Sequence, residues 1–280
     1  MNRRTITGIF VLAAAMIAAQ SSDFERARDA FQRAAAETGA ARKQALLEES
    51  IRYVKTFEAY YALGGLQLGL KQFPQARESF REAMAVAKNE PAVAAARFKL
   101  GLASEGLGET LEAISLLESS MELVPDETVA AELKRIRLEA AGKVYGAAAI
   151  SKALTLSKSL GKTAKIDLNS VNFDFDSADL TVAGKKQSEE LGKLLTKNDF
   201  PGYVFVFVGH TDLNGGEDYN KDLSSKRAET VKRYLVERYS IAYNRVRTEG
   251  RGKLEPLYGG PPSGDNDKLN RRVEVRLVAR

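Results

Sequence analysis

The chain has 280 residues, 44% hydrophobic and 28% charged, enough apolar material for two globular cores and too much for a disordered chain. Its formal charge of +5 comes from 42 basic against 37 acidic residues spread along the sequence, a sign that suits nucleic acid, acidic lipid or an anionic polymer equally and selects none of them. The absence of cysteine excludes structural disulfides, thiolate metal sites, a cysteine nucleophile and a lipid-modified N-terminal cysteine.

At the start of the chain, Asn2, Arg3 and Arg4 precede an apolar run from Ile9 to Ala19 that is short for a bilayer span. The small Ala18 and Ala19 are followed by the polar Gln20, Ser21 and Ser22. Residues 1–19 are therefore expected to form a secretory signal peptide cleaved near Ala19, with an uncleaved membrane anchor as the alternative. Secretion would carry the mature chain out of the cytoplasm and argues against a nucleic-acid partner. No stacking run of aromatic and basic residues is present either.

From Asp23 to about Gly142 the sequence is rich in Ala, Leu, Glu, Lys and Arg, with apolar residues at helical spacing. Leu63, Gly64, Ala76, Phe80 and Ala83 recur as Leu100, Gly101, Ala113, Leu117 and Ser120, and Pro125 closes the second copy. The small residues sit where two helices of a hairpin approach closely. This pattern resembles the tetratricopeptide family, with a degenerate first hairpin at Asp23–Glu37 and Ala41–Val54. The resemblance implies a repeat domain over residues 20–142 that holds a protein partner whose identity the sequence does not give; a spacer role is the alternative. Val129 to Ala141 reads as a solvating final helix of this domain.

Residues 143–164 carry several lysines and no acid, with Ile150, Leu154 and Leu160 as an apolar stripe. Two readings stay open: a basic amphipathic helix on a membrane surface, or a linker and helix packed on the next domain. From Lys165 the pattern turns to strands. Ile166 to Phe175 reads as β-rich and Leu180 to Lys197 as a helix. Tyr203 to Val208 reads as a buried strand and Asp218 to Tyr239 as a long helix, with two further strands at Arg245–Glu249 and Arg272–Val278. A Gly- and Pro-rich loop, Gly259 to Gly264, lies between the last two.

Six short elements stand in register in this second half: Asn-Phe-Asp-Phe-Asp-Ser ending at Ser177, Gly-His-Thr-Asp ending at Asp212, Tyr219-Asn220, Leu223 to Ala228, Gly-Arg-Gly ending at Gly252, and Asn-Arg-Arg-Val-Glu ending at Glu274. In order and spacing they resemble the OmpA-like peptidoglycan-binding domain, from about residue 147 to the end of the sequence. The fold class expected is thus multidomain, tetratricopeptide-like α-helical hairpins followed by an α/β OmpA-like domain at 165–280 with a mixed sheet and helices packed on it. The segment Gly259 to Leu269 departs from the family's usual glycine placement, which puts ligand contacts from that loop in doubt.

The resemblance implies a ligand, the meso-diaminopimelate of the peptidoglycan stem peptide, whose free end is a zwitterion. It assigns Asp212 to the ammonium and Arg227 to the carboxylate, for which a planar guanidinium is suited. Thr211, Asn220 and Asp174 are expected to add polar contacts; Arg271 and Arg272, which open the last strand, are expected to serve packing or salt bridges, with their positive charge as an aid to binding an anionic wall as the lesser reading. The alternative for Asp212 and Arg227 is an ordinary ion pair. No cofactor is expected and no enzyme. One histidine and no cysteine cannot build the common zinc hydrolase sites, and no activated serine motif is present. A wall-cutting hydrolase, the remote alternative, would be drawn with His210 and Asp212 as an acid-base pair or Asp174 and Asp212 as a carboxylate pair; His210 is instead expected to be a partly buried ring with one nitrogen bonded. These readings lead to a protein of the periplasm associated with the outer membrane, held to diaminopimelate-type peptidoglycan. The alternative is an envelope adaptor whose pocket is not a peptidoglycan site.

Overall fold

A computed structural model describes residues 22–161, 163–174, 176–261 and 263–280. The expected signal peptide at 1–19 lies outside them, as does Phe175. The described residues fall into two compact units, one running to Gly108 together with Ser120–Val124, the other comprising Glu109–Ser119 and Pro125–Arg280.

The first unit is helical. Helix α1 covers residues 22–36 and is followed by α2 (Ala40–Tyr53), α3 (Phe57–Gly69), α4 (Phe73–Val86) and α5 (Glu90–Gly106), with the last turn of α6 (Thr110–Leu123) completing it. The starts are written in the sequence. The Thr56 and Asn89 side chains accept from Ala59 and Ala92 N–H at 3.2 and 2.9 Å, and prolines occupy the first turns of α4 and α5. Helices α2 to α5 pack in succession, and α3 also meets α5. Gly64 works as the repeat spacing implies, since a Cβ there would lie 2.8 Å from the Phe80 ring, so the hairpin closes only with that side chain absent. Between the same two helices the buried Ser79 hydroxyl donates to Gln67 Oε1 at 2.7 Å.

The second unit holds a four-stranded sheet of β1 (Lys165–Leu168), β2 (Tyr203–His210), β3 (Val246–Gly252) and β4 (Arg272–Ala279) in the order β1-β4-β2-β3. β4 runs antiparallel to both neighbours, and β2 and β3 are parallel. That parallel pair requires a crossover, which α10 (Glu217–Tyr239) supplies. Helices α8 (Ala147–Ser159) and α9 (Val182–Lys197) bury Ile150, Leu154, Leu191, Leu194 and Leu195 in one core with Phe205, Phe207, Val231 and Leu235. Residues 147–159, left open between membrane surface and packed helix, are thus a packed helix. Of the stripe read from the sequence, Ile150 and Leu154 are fully buried in the core and Leu160, just past the helix, is half-buried.

Three sequence expectations change in this unit. Helix α7 (Glu127–Ala140), read as a solvated end of the repeats, buries Val129, Leu133, Ile136 and Ala140 at 4-3-4 spacing and is grouped with the sheet. The β-rich run expected to Phe175 pairs only to Leu168; after a turn, Phe173 forms an isolated bridge with Leu180, and α9 begins after its Thr181 cap. Inside the Gly- and Pro-rich segment lies a short helix, α11 (Gly264–Asn270), started by Ser263 Oγ accepting from Asn266 N–H at 3.2 Å.

A buried ion network ties α7 to the sheet. Asp167 on β1 accepts from Arg272 Nε on β4 at 2.8 Å and lies 3.7 Å from Arg137 of α7. Arg137 also pairs with Glu118 and donates to the Tyr258 hydroxyl at 3.3 Å. Burial would raise the Asp167 carboxyl, but the Arg272 and Arg137 guanidiniums outweigh it and hold the group below the usual carboxylate range.

Two substitutions test this packing. Gly64→Ala should overpack the α3–α4 hairpin and cost about 1–3 kcal/mol in denaturant unfolding. Asp167→Asn leaves the buried Arg272 guanidinium without its carboxylate and Arg137 with Glu118 alone, and should cost about 3–5 kcal/mol on the same assay.

Candidate functional site

The carboxyl ends of β2 and β3, the amino end of β4 and the loop from Asn169 to Thr181 meet at one end of the sheet. Helix α10 is drawn against the strand ends because Gly209 and Gly250 have no side chain: a Cβ on Gly209 would stand 2.3 Å from the Ser224 carbonyl oxygen, and one on Gly250 2.0 Å from Ser225 Oγ. That close approach carries Arg227, one turn past Ser224 on α10, over the Asn169–Thr181 loop. There Arg227 Nε donates to the Ser177 carbonyl at 2.9 Å and its guanidinium lies 5.2 Å from the Phe173 ring centre. Burial pushes this guanidinium below its ordinary pKa, Tyr219 opposes the shift and Arg271 adds to it. Among the described residues no carboxylate lies within ion-pair distance of Arg227.

Asp212 follows β2 directly. One of its oxygens accepts from Asn214 N–H at 3.1 Å, closing a local turn, and the other accepts from Arg271 Nη1 at 2.6 Å. Asn220 is buried and its amide donates to the Asn214 carbonyl at 2.6 Å, so it braces the loop that presents Asp212. Thr211 is buried too, its N–H bonded to the Gly252 carbonyl at 3.0 Å and its hydroxyl donating to the Asp212 carbonyl at 2.9 Å. Asp174 is exposed. Asp176 accepts from the Tyr219 hydroxyl, a bond that raises the phenol above its usual pKa.

All five residues singled out from the sequence, Asp174, Thr211, Asp212, Asn220 and Arg227, line one cleft of about 660 Å³. Their roles in it differ. Asp212, Arg227 and Asp174 offer charge to the cleft, whereas the polar groups of Thr211 and Asn220 are engaged in holding its walls. The sequence reading did not single out Asp176 and Tyr219, which also line it, and gave Arg271 first a packing or salt-bridge part and only second a part in binding an anionic wall; Tyr219 stands in the matched Tyr-Asn element and could have been taken with Asn220.

A smaller chamber of about 330 Å³ adjoins the cleft and includes His210 in its lining. His210 is 2% exposed, and neither ring nitrogen has a hydrogen-bond partner, against the expectation of one bonded nitrogen. Burial first, and the Arg272 charge second, lower its pKa to about 3; Arg276 and Lys165 act in the same direction and Asp167 opposes them. The ring is therefore neutral in the folded protein and is not poised for proton transfer near neutrality. Among the described residues no three His, Asp or Glu side chains cluster as a metal site, and no described helix is long and apolar enough to cross a membrane.

The His210 shift has a sign that can be checked. The unfolded chain takes up a proton near the ordinary value of 6.5 and the folded chain only near 3, so this contribution to stability is complete above about pH 7 and falls as the solution is acidified between those values. Between pH 7 and 5, where few carboxylates titrate, wild type should lose stability with a slope approaching about 1.4 kcal/mol per pH unit. The same series on His210→Gln should be nearly flat.

Residues 172–269 match the model of the OmpA family. Over 106 residues the chain is 38% identical to outer membrane protein A of Bordetella avium, covering 38% of this chain and 53% of that one. It is 33% identical over 109 residues to the probable lipoprotein YiaD of Escherichia coli K12, covering 39% and 48%. The chain thus spans about half the length of these curated relatives. Among solved structures, the peptidoglycan-associated lipoprotein of Burkholderia pseudomallei aligns with 25% identity over 42% of this chain and 92% of that one, at a TM-score of 0.35.

Proposed function

We propose that this chain, whose residues 172–269 form an OmpA family domain, holds noncovalently to peptidoglycan by gripping the zwitterionic end of meso-diaminopimelate, and uses its helical repeats to hold a protein partner in the cell envelope. The observation that carries the reading is the pairing of an anion and a cation in one cleft: the Asp212 carboxylate and the Arg227 guanidinium both line it, and each keeps capacity for another bond. A ligand ammonium suits Asp212. Its neighbouring carboxylate suits Arg227, whose planar fork is aimed by the Ser177 carbonyl and backed by the Phe173 face. Binding of this kind needs no bond to be broken, and His210, buried and with its pKa lowered to about 3, is a weak base. The names of the relatives, outer membrane protein A and a probable lipoprotein, support an envelope location.

The Asp212–Arg271 bond is the observation that favours the second reading, in which the charges are an internal ion pair and the domain only docks to other envelope proteins. Co-sedimentation separates the two. Wild-type protein should pellet with diaminopimelate-type sacculi, and Asp212→Ala and Arg227→Ala, checked for native circular dichroism, should stay in solution. Folded variants that pellet as well as wild type would leave the adaptor reading. Sacculi of the lysine type, which lack the extra carboxylate, should bind more weakly by about 1–3 kcal/mol.

A further inference from the structure

The cleft and the smaller chamber share a wall made of Phe173, Arg227 and Arg271, which line both. Their charges are segregated. The larger space is lined by three carboxylates, Asp174, Asp176 and Asp212; the smaller has three guanidiniums, Arg227, Arg271 and Arg272, and no carboxylate among its described lining residues. Arg272 is fully engaged, with Nε on Asp167 at 2.8 Å and its other nitrogens on the Asn270 and Glu255 carbonyls at 3.3 and 3.2 Å. Arg227 is fixed through Nε. Arg271 is different: its side chain is 49% exposed and is tied down by the bond from Nη1 to Asp212.

We propose that Arg271 determines specificity for the ligand carboxylate by exchanging partners: it holds Asp212 as the structure shows, and a ligand ammonium that takes over Asp212 releases its guanidinium to close, with Arg227, on a carboxylate seated in the smaller chamber. This rests on the reading of the cleft given above and names the residue that reads the second charge. Charge pairing is the reason. A ligand that brings only an ammonium can reach Asp212 but strands Arg271 without its anion, so it replaces one ion pair by another. A zwitterion brings both charges, leaves every partner satisfied and adds an anion for Arg227. The Asp212–Arg271 bond thereby serves as a built-in competitor against amines that lack the adjacent carboxylate.

The test uses two stem tetrapeptides that differ by one carboxylate, L-Ala-γ-D-Glu-meso-diaminopimelyl-D-Ala and its lysine counterpart, titrated calorimetrically at fixed ionic strength into wild type and Arg271→Gln. Because His210 is the sole histidine and lines the smaller chamber, its imidazole proton signals report occupation of that chamber without ambiguity of assignment. Wild type should prefer the diaminopimelate peptide by about tenfold, and only that peptide should shift the His210 signals. In Arg271→Gln the preference should fall to about twofold or less, with affinity for the lysine peptide unchanged or higher because Asp212 has lost its competitor. Arg271→Lys, which keeps the charge but not the fork, should recover part of the preference. An undiminished preference in Arg271→Gln, an equal loss for both peptides, or His210 signals that stay still on saturation would each overturn the proposal. Failure of wild type to bind either peptide would be a separate result, removing the reading of the cleft and this proposal with it.

Discussion

The carboxylate of Asp167 is buried with its charge and placed between two guanidiniums that come from opposite directions in the sequence. Arg272 reaches it from β4 at 2.8 Å and Arg137 from α7 at 3.7 Å. Much of the second unit is arranged around this need. A carboxylate cannot be buried there without cations, and the cations must be satisfied in turn, which brings in Glu118, the Tyr258 hydroxyl and the carbonyls of Asn270 and Glu255. Such a network contributes less to net stability than its number of bonds suggests, because desolvation offsets most of the attraction. What it fixes is position. With Arg272 immobilised, the start of β4 is set opposite His210, and Arg271 beside it is left to face the cleft.

The cleft itself is built by an opposite device, the removal of side chains. Gly209 and Gly250 allow α10 to lie on the strand ends at backbone contact, and the N-terminal half of that helix then presents Asn220, Leu223 and Arg227 to one space. Asn220 and Thr211 support the loop whose first charged residue is Asp212. The charges that can meet a ligand therefore stand on a rigid base of helix and strand ends, the arrangement in which little is lost to ordering on binding.

The elements with strong local signals were legible in the sequence. Helices α9 and α10 and the strand at Tyr203 all carry period, cap or turn residues that need no tertiary information. What escaped depended on distant residues. Arg137 looks like a solvated charge on an amphipathic helix until Asp167 and Glu118 are brought to it, so α7 read as an end cap of the repeats. Helix α11 is short and made of Gly, Asp and Asn, residues whose local preference is for turns, and only the Ser263 cap hints at it. At the cleft, the family resemblance singled out five lining residues, all in four of the six sequence elements, which sit at the strand ends and helix start that converge there. The bond between Asp212 and Arg271, 59 positions apart, could not be read from either segment alone.

The order of the strands carries one more implication, for the way the domain comes to be folded. β4 follows every other strand in the sequence yet lies inside the sheet, between β1 and β2. Until those eight residues pair, β1 has no strand to pair with and β2 has only β3, so the partly folded domain presents open strand edges facing the gap that β4 fills. The closing pair, Lys165 with Arg276, is separated by more than a hundred residues, and joining them is slow compared with forming the helices. The four-stranded sheet can therefore close only once the last strand in the sequence has taken its place at the centre.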